Sequence, residues 1–411
     1  MNRLDHTSRR ERFASWILFV LLLLLTRQPQ LPALSNLTLT LSIVALFLFL
    51  RARAEIVVLA SFGIFLCFSA LVAIVHGAEP ASIARFAAIL MLTPIAFCWS
   101  MRTQRLGLVS VPILLQCVLI VGLALFLAAA QNTFLASELR LFFLTSGWGD
   151  VYSFDGYYYR VQLKGNALIP LFYLVFLWTV DKGRSRKVLL LVTGVALIFA
   201  GNVTYLVVCG TATVVRLWGI ITSRKIRLVL FILLLVVFVL SAQDLFNFLY
   251  LSKFQGGETS SFGMRYDQLA TYLASISEHP YASIVGRGVG SCFPNSALVD
   301  YCDSLYIELQ TLNILLQIGV AGLAAYSLVM YWLARRTLKP EGQVIFWLYI
   351  ALSATNPYIF DINQLIATLV LVAFFGRAKN AARVQPRLVE IVTDGHGIEH
   401  RAKMNSRLGE V

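Results

Sequence analysis

The sequence predicts an all-α integral membrane protein, a polytopic bundle of about twelve transmembrane helices with two large external loops. Composition is the first observation: 58% of the 411 residues are hydrophobic, only 13% are charged, and the mean hydropathy is +0.76. A water-soluble surface needs about a quarter of its residues charged. This balance excludes a soluble monomer, a disordered chain, collagen and a disulfide-dense scaffold. Recurring apolar windows and an uneven distribution of Lys and Arg are the other two observations.

The apolar windows begin near the N-terminus and recur along the chain. The window 16–25 follows a cluster of arginines, as in a signal peptide, but no small-residue cleavage site follows it, so we interpret it as a retained helix. A crossing needs ~20 residues. The shortest windows lie around Gly201-Asn202 and Asn356-Pro357, where we expect tight hairpins or re-entrant segments. The later windows are 37–50, 56–75, 84–100, 107–129, 166–180, 187–200, 203–221, 227–243, 309–334, 343–355 and 362–375.

Positive charge is unevenly divided between the two sides of the predicted bundle. The net charge is +13, and 26 of the 34 Lys and Arg lie in the termini, in alternate connections or, for Arg216, near a helix end. The other eight lie in the opposite set of connections. Because cytoplasmic connections carry the excess of Lys and Arg, we expect a multi-pass protein with both termini in the cytoplasm. Topology then explains the charge, and no nucleic-acid partner is needed.

The outward connections contain two long polar loops. Long loops on a rigid scaffold carry function more often than short connectors do, so we expect the active face outside. The predicted organisation is residues 1–130 as the N-terminus and helices one to five, 131–165 as the first external loop, 166–244 as helices six to nine, 245–308 as the second external loop, 309–376 as the last three helices, and 377–411 as a basic cytoplasmic tail.

The first external loop ends in a run of tyrosines beside two cations. Tyr158 and Tyr159 are typical of interfacial anchors, and they also suit a platform for a sugar ring. Arg160 and Lys164 follow, four residues apart, just before a helix. Cations kept on the outer side run against the positive-inside trend, which indicates a task such as binding an anion.

The second external loop opens with a Gly/Ser-rich turn over residues 256–261, and a predicted surface helix over residues 265–278 follows it. Its apolar residues recur at spacings of three and four and predict a single apolar face, and Pro280 ends it. The helix is too short and too polar to span, so we expect it to lie along the membrane surface. The apolar positions are Leu269, Tyr272, Leu273 and Ile276.

A glycine run and a carboxylate follow this helix. Gly286, Gly288 and Gly290 either let backbone N–H groups approach a diphosphate closely or form a simple flexible turn. Glu308 lies beside a long apolar window, where a carboxylate is costly unless it is paired or functional. It is either the ionic partner of a nearby arginine or a general base.

The cysteines divide by location. Cys292 and Cys302 lie ten residues apart in the second external loop, where an oxidising exterior permits a disulfide; two free thiols are the alternative. Taken together, the external loops bring cations suited to phosphate, aromatic rings suited to sugars and a carboxylate suited to activating a hydroxyl. A lipid-linked sugar diphosphate satisfies all three.

Two stretches together resemble the core of the O-antigen polymerase and O-antigen ligase superfamily, over about a quarter of the chain. Ligases of that superfamily carry a His-Asn pair where this chain has Glu308-Leu309, which favours a polymerase. A Ser-Arg pair common after the middle hairpin is also missing. The stretches are Arg160-Val161-Gln162-Leu163-Lys164-Gly165-Asn166, and Arg265…Glu278-His279-Pro280…Gly286-Arg287-Gly288-Val289-Gly290 followed by Glu308…Gln317-Ile318-Gly319-Val320-Ala321-Gly322-Leu323.

The resemblance implies a membrane-embedded, GT-C-like glycosyltransferase in a bacterial cytoplasmic membrane that uses no metal and no cofactor. It implies polymerisation of undecaprenyl-diphosphate-linked oligosaccharide repeat units into O-antigen, capsule or exopolysaccharide on the outer face, with a chain-length regulator and a flippase as further partners. Under it, Arg160, Arg265 and Arg287 stabilise the leaving diphosphate and Glu308 activates the acceptor hydroxyl. The other substrate contacts are Lys164, His279, Gly288 and Gly290 for the diphosphate and Tyr158 and Tyr159 for the sugar.

Two alternatives remain at the level of sequence. A ligase would transfer finished glycan to a different acceptor lipid. A polysaccharide flippase or transporter would suit twelve helices, but transporters place polar groups near the middle of the membrane, whereas these charges concentrate in external loops.

Overall fold

In the computed structural model, most of the described chain is helical. The structure describes residues 2–26, 32–50, 56–101, 103, 105–146, 148–153, 158–163, 165–179, 183–220, 261–294, 309–354 and 361–377. The described residues belong to one compact unit.

Helices follow one another with a single strand pair between them. The elements are α1 (Asn2–Thr26), α2 (Pro32–Phe49), α3 (Ile56–Val75), α4 (Pro80–Ala96), α5 (Leu106–Ala130), α6 (Thr133–Thr145), β1 (Gly149–Ser153), β2 (Tyr159–Leu163), α7 (Leu168–Thr179), α8 (Arg184–Ala200), α9 (Val203–Ile220), α10 (Ser261–Glu278), α11 (Tyr281–Val285), α12 (Gln310–Thr337), α13 (Pro340–Ala354) and α14 (Ile362–Phe375).

Every apolar window within the described residues coincides with a helix; the window 227–243 lies outside them. The helices α3, α5 and α12 are long and apolar enough to cross a membrane, and several others are apolar but shorter. The described part of the chain is therefore mostly helical and contains helices that could span a membrane, as in an all-α membrane protein. The number of crossings stays a prediction.

Apolar residues lie on both the inside and the outside of the bundle. The helices α7 and α14 are buried along almost their whole length. Around them, α3 and α5 leave large apolar side chains such as Val57, Phe68 and Phe126 more than half exposed. A helix that is apolar on every side is stable only inside a core or against lipid, so these outer faces suit a lipid environment.

The bundle has two ends, and one of them gathers basic segments. We call it the basic end and define it by the residues 49–50, 99–101, 103, 105, 335–340 and 373–377. Ser100 N–H donates to Phe49 O at 3.0 Å, Thr103 N–H to Ala373 O at 3.2 Å, and Arg377 N–H to Thr337 O at 2.7 Å. These segments come from alternate connections, as the charge pattern predicts.

The opposite end is called here the hairpin end, after the pair β1–β2. It holds the ends of α1, α3 and α8 and the beginnings of α4 and α7. The strands β1 and β2 pair antiparallel, with Gly149 opposite Leu163 and Tyr152 opposite Arg160. The described fold is mostly helical, as predicted, and this small sheet is an element that the all-α prediction did not include. The strands form because apolar residues occupy alternate positions, which places them on one side of the pair. Val151, Val161 and Leu163 are buried on that side.

Candidate functional site

Arg160 is a buried cation at the hairpin end. It is 8% exposed and lies on β2. Its Nε donates to Ala200 O at 3.3 Å, and its Nη1 donates to the Tyr152 hydroxyl at 2.5 Å. With the Gln162 amide oxygen turned toward it, Nη2 also donates to that oxygen at 2.5 Å. All of these acceptors are neutral, and no carboxylate of the described residues forms an ion pair with Arg160.

The end of α8 is shaped to receive the Arg160 side chain. Gly201 caps α8 with a φ of 63°, a left-handed conformation that favours glycine. A Cβ on Gly201 would meet Arg160 Cγ at 2.5 Å and Cδ at 2.7 Å. From the sequence, Gly201-Asn202 was interpreted only as part of a tight hairpin or a re-entrant segment. A glycine directly after a helix is a signal that the sequence offers. The sequence gives no sign that this glycine contacts Arg160, which lies about forty residues earlier in the chain.

Tyr152 positions Arg160 from the facing strand, and sequence reasoning missed it. The Arg160 guanidinium carbon lies 5.4 Å from the Tyr152 ring centre, and that of Arg140 lies 5.3 Å from it. Arg140 in turn forms an ion pair with Asp150 at 2.9 Å. Burial raises the pKa of the Tyr152 hydroxyl, and the Arg160 charge opposes that rise. Because its pKa lies above the ordinary value of about 10, the hydroxyl is neutral at physiological pH, and its oxygen accepts the hydrogen bond that Arg160 Nη1 donates.

The Gly165-Asn166 turn joins the hairpin to the bundle. Gly165 has a φ of 80°, and a Cβ there would meet Leu25 O at 2.9 Å. Asn166 donates to Val161 O at 3.1 Å and accepts from Gln116 Nε2 at 2.7 Å. The motif around Arg160 therefore has a structural reason: its glycine and asparagine fix β2 against α1 and α5.

The neighbouring tyrosines are occupied by packing. Tyr159 is 3% exposed, so its ring face is not available to a sugar, and the stacking role predicted for it is wrong. The Tyr158 hydroxyl donates to Ile198 O, and its ring stacks on Phe199 with centroids 6.2 Å apart. Tyr158 anchors the hairpin to α8 and keeps only part of its surface exposed.

Arg265 lies on α10, on the face that turns toward the bundle. The same face carries Gln268, Tyr272 and Ser275, which are buried, and burial raises the pKa of the Tyr272 hydroxyl. The four apolar residues predicted to share one face of this helix are divided between two sides in the structure. Tyr272 and Ile276 pack inward, whereas Leu269 and Leu273 are exposed. Exposed leucines opposite a polar inner face suit a helix lying on a membrane surface.

α10 also holds the start of α12. Gln268 Oε1 accepts the Leu309 N–H at 3.0 Å. Gln268 is one helical turn after Arg265, and Leu309 directly follows Glu308 in the chain. Glu308 itself lies outside the described residues, as do Lys164 and Cys302, so their predicted roles stay predictions.

The segment 286–290 is an inserted wedge, neither a flexible turn nor a phosphate cradle. The three glycines have φ values of 80°, 100° and 85°. A Cβ on Gly286 would lie 2.3 Å from Gln317 O, one on Gly288 2.2 Å from Ala73 N, and one on Gly290 2.5 Å from Ile83 N. The segment thus packs directly against the backbones of α3, α4 and α12.

Its backbone N–H groups are also used within the protein. Gly288 N–H donates to Gln317 O at 3.0 Å, and Gly290 N–H donates to Gln317 Oε1 at 3.0 Å. Val289 N–H donates to Ser69 Oγ at 3.0 Å. This corrects the prediction that Gly288 and Gly290 hold a diphosphate through their N–H groups. Gln317 fixes the segment, a role that sequence reasoning missed.

Arg287 extends from this rigid segment. Its N–H donates to Leu316 O at 2.7 Å, and its side chain is partly exposed. Among the described residues, no acceptor or carboxylate holds its guanidinium. His279 is partly exposed after α10, with its ring 5.9 Å from the Tyr281 ring.

The described cysteines differ in whether they are bonded. Cys292 is disulfide-bonded, whereas Cys67, Cys98, Cys117 and Cys209 are free. Pairing with Cys302 stays a prediction. Within the described part of the chain, no three His, Cys, Asp or Glu side chains lie close enough to hold a metal ion.

The described site residues form two neighbourhoods at the hairpin end. Arg160 belongs to the hairpin packed on α5 and α8, and Arg265 and Arg287 belong to the elements around the start of α12. Each neighbourhood presents cations on a rigid support, which suits binding of an anion such as a phosphate. Comparison with known protein families, with curated proteins and with solved structures finds no match to this chain.

Proposed function

We propose that the protein polymerises lipid-diphosphate-linked oligosaccharide repeat units on the outer face of a bacterial cytoplasmic membrane. The observation that carries the proposal is Arg160: a guanidinium 8% exposed, held only by neutral acceptors within the described residues. Burying a charge without a counter-ion is costly. A diphosphate would supply the missing negative charge.

The reaction is a glycosyl transfer without a nucleotide. The hydroxyl of the acceptor unit attacks the anomeric carbon at the reducing end of the growing chain. The bond from that carbon to the undecaprenyl diphosphate breaks, and the diphosphate leaves with the electron pair. The hydroxyl proton passes to Glu308 as general base. Arg160, Arg265 and Arg287 stabilise the charge that develops on the diphosphate, usually the largest catalytic contribution in such reactions.

The remaining predicted contacts supplement these roles. Lys164 adds a second cation near Arg160 in the chain, and His279 lies beside the exposed Tyr281 ring, where a sugar can bind. The GT-C-like fold and the undecaprenyl carrier belong to the proposal, as do a flippase that delivers the units and a chain-length regulator. The glycan product is an O-antigen, a capsule or an exopolysaccharide.

A glycan ladder tests the proposal. The chain is expressed in a polymerase-deficient host that carries the matching repeat-unit pathway, and surface glycan is resolved on a gel. We expect the native chain to restore the ladder and Arg160→Ala and Arg265→Ala to abolish it, because losing one such contact costs about 10²–10³ in rate. Arg85→Gln is the matched control, since Arg85 is exposed at the start of α4. Membrane levels of each variant are measured by immunoblot.

Other outcomes would redirect the assignment. Single capped units from the native chain would remove the polymerase and bring a ligase or a flippase forward. A ladder from both arginine variants would keep the function and contradict the role of these arginines. Activity of the purified protein on lipid-linked oligosaccharide, without vesicles or gradient, would exclude transport as the primary function.

A further inference from the structure

The hairpin β1–β2 has one apolar face, which is buried, and one polar face. Residues directly opposite each other in a strand pair point to the same side of it. Tyr152 lies opposite Arg160, and Asp150 lies opposite Gln162. These four side chains therefore share the polar face. Helix α6 packs on β1, and its Arg140 contacts Asp150 and Tyr152 on that face.

Arg140 and Arg160 lie against the same aromatic ring. Their guanidinium carbons are 5.3 Å and 5.4 Å from the Tyr152 ring centre. Such cation–π contacts hold a guanidinium in place before a ligand arrives. The two cations are neighbours separated by a single side chain, an arrangement that suits a ligand with two adjacent negative groups.

The two cations differ in burial and in what holds them. Arg160 is 8% exposed and is held by neutral acceptors within the described residues, whereas half of the Arg140 side chain is exposed. Arg140 binds Asp150 with two N–H groups, from Nε to Oδ1 at 2.9 Å and from Nη2 to Oδ2 at 3.2 Å. A guanidinium binds phosphate with the same pair of groups. Asp150 therefore holds Arg140 in a geometry that also fits a phosphate.

The ion pair between Arg140 and Asp150 is easy to exchange. The two side chains are 50% and 24% exposed, and ion pairs open to solvent contribute little to stability. A diphosphate carries more negative charge than one carboxylate, and Arg160 attracts it as well. Displacing Asp150 from Arg140 therefore costs little, whereas a carboxylate buried against Arg160 would be hard to displace.

We infer that Arg140 is a second anion-binding residue of the Arg160 site and that Asp150 occupies it until a diphosphate arrives. Arg160 binds one phosphate, and Arg140 exchanges its carboxylate for the other. Asp150 acts as a competitor that favours ligands with two phosphates over ligands with one. The inference rests on the proposed function only in taking a lipid diphosphate as the ligand.

Two substitutions with opposite expected effects test this role. The purified full chain in detergent is titrated with undecaprenyl diphosphate, and the affinity is obtained from the ligand-dependent rise in unfolding temperature. We expect Arg140→Gln to weaken binding roughly fivefold and Asp150→Asn to strengthen it by a similar factor, because an exposed pair of opposite charges contributes up to about that factor. The affinity for undecaprenyl monophosphate should change less, since Arg160 alone binds its phosphate.

The direction of the two effects separates ligand binding from a structural role. Both substitutions break the same ion pair, so both would change the affinity in the same direction if the pair only fixed α6 to β1. Glu138→Gln is the matched control for Asp150→Asn, because it also removes one negative charge. Glu138 is exposed two positions before Arg140 and faces a different side of α6, so the affinity should stay unchanged.

Weaker binding by Asp150→Asn, or unchanged affinity in both variants, would overturn the inference. A native chain that does not bind the diphosphate would overturn it together with the site on which it rests. Opposite shifts in affinity without a glycan ladder from the native chain would support Arg140 as an anion-binding residue and remove only the polymerase. A ladder with equal diphosphate affinities in all three proteins would remove only the role of Arg140.

Discussion

Arg160 shows how a single buried charge can be prepared for an anion. Its described partners are the Ala200 carbonyl, the Tyr152 hydroxyl and the Gln162 amide, which orient the guanidinium without neutralising it. A carboxylate paired with Arg160 would neutralise its charge permanently, and less of that charge would then be available to a ligand. Neutral acceptors therefore fix the geometry of the guanidinium and leave its charge available to the phosphate that we propose as its ligand.

The fit between Arg160 and Gly201 predicts a coupled pair of substitutions. We expect Gly201→Ala to lower the free energy of unfolding, because alanine at a positive φ costs about 1–2 kcal/mol and its Cβ would collide with Arg160 Cγ. In Gly201→Ala/Arg160→Ala the collision is gone and the backbone strain remains. Thermal unfolding of the four proteins in detergent measures the interaction.

A coupling energy of about 1 kcal/mol or more, with the double variant more stable than additivity allows, is the expected result. Simple additivity would show that α8 relaxes away from Arg160 and would contradict the close fit. Glycan ladders from the same set show separately whether Gly201→Ala disturbs Arg160 in its proposed role.

At the scale of elements, the glycine segment 286–290 shows where sequence reasoning stopped. A run of alternate glycines indicates unusual backbone, and the φ values confirm that much. The reason for the glycines is close contact with Ala73, Ile83 and Gln317. Two of these contacts come from helices about 200 residues away, so no local pattern could distinguish a packed wedge from an open phosphate loop.

This wedge predicts that Gly288→Ala destabilises the fold. A Cβ on Gly288 would lie 2.2 Å from the Ala73 backbone nitrogen, which cannot move aside as a flexible side chain does. We expect a loss of about 3 kcal/mol or more in unfolding free energy, from strain at positive φ and overpacking together. Thermal unfolding in detergent and the yield of monodisperse protein measure it.

Gly77→Ala is the matched control for Gly288→Ala. Gly77 has a φ of 76°, and a Cβ there would meet no atom within 4 Å. It should therefore cost only the backbone strain of about 1–2 kcal/mol. If the two variants lose the same stability, the contact with α3 contributes nothing and the segment is free to bind a ligand after all.

At the scale of the whole molecule, hydropathy and charge predicted more than motifs did. Apolar windows located the helices because burial in lipid or core demands a continuous apolar stretch. The hairpin was missed since five-residue strands give only a weak alternating signal. Tyr152 and Gln317 were missed because their roles depend on contacts between distant parts of the chain.

The two ends of the bundle predict opposite accessibility across the membrane. Glu79, beside Pro80 of α4, is exposed at the hairpin end, and Glu341, beside Pro340 of α13, is exposed at the basic end. Because Lys and Arg mark the cytoplasmic side, Glu79→Cys should react with a membrane-impermeant maleimide in intact cells. Glu341→Cys should react only after the membrane is permeabilised.

The unsubstituted chain, with its native cysteines, sets the background for this labelling. Reaction of both positions from the same side would contradict a bundle that spans the membrane between its two ends. Reaction of Glu341→Cys alone in intact cells would keep the bundle and reverse its orientation. The cations Arg160, Arg265 and Arg287 would then face the cytoplasm, and the proposed polymerisation on the outer face would have to be abandoned even if the fold were right.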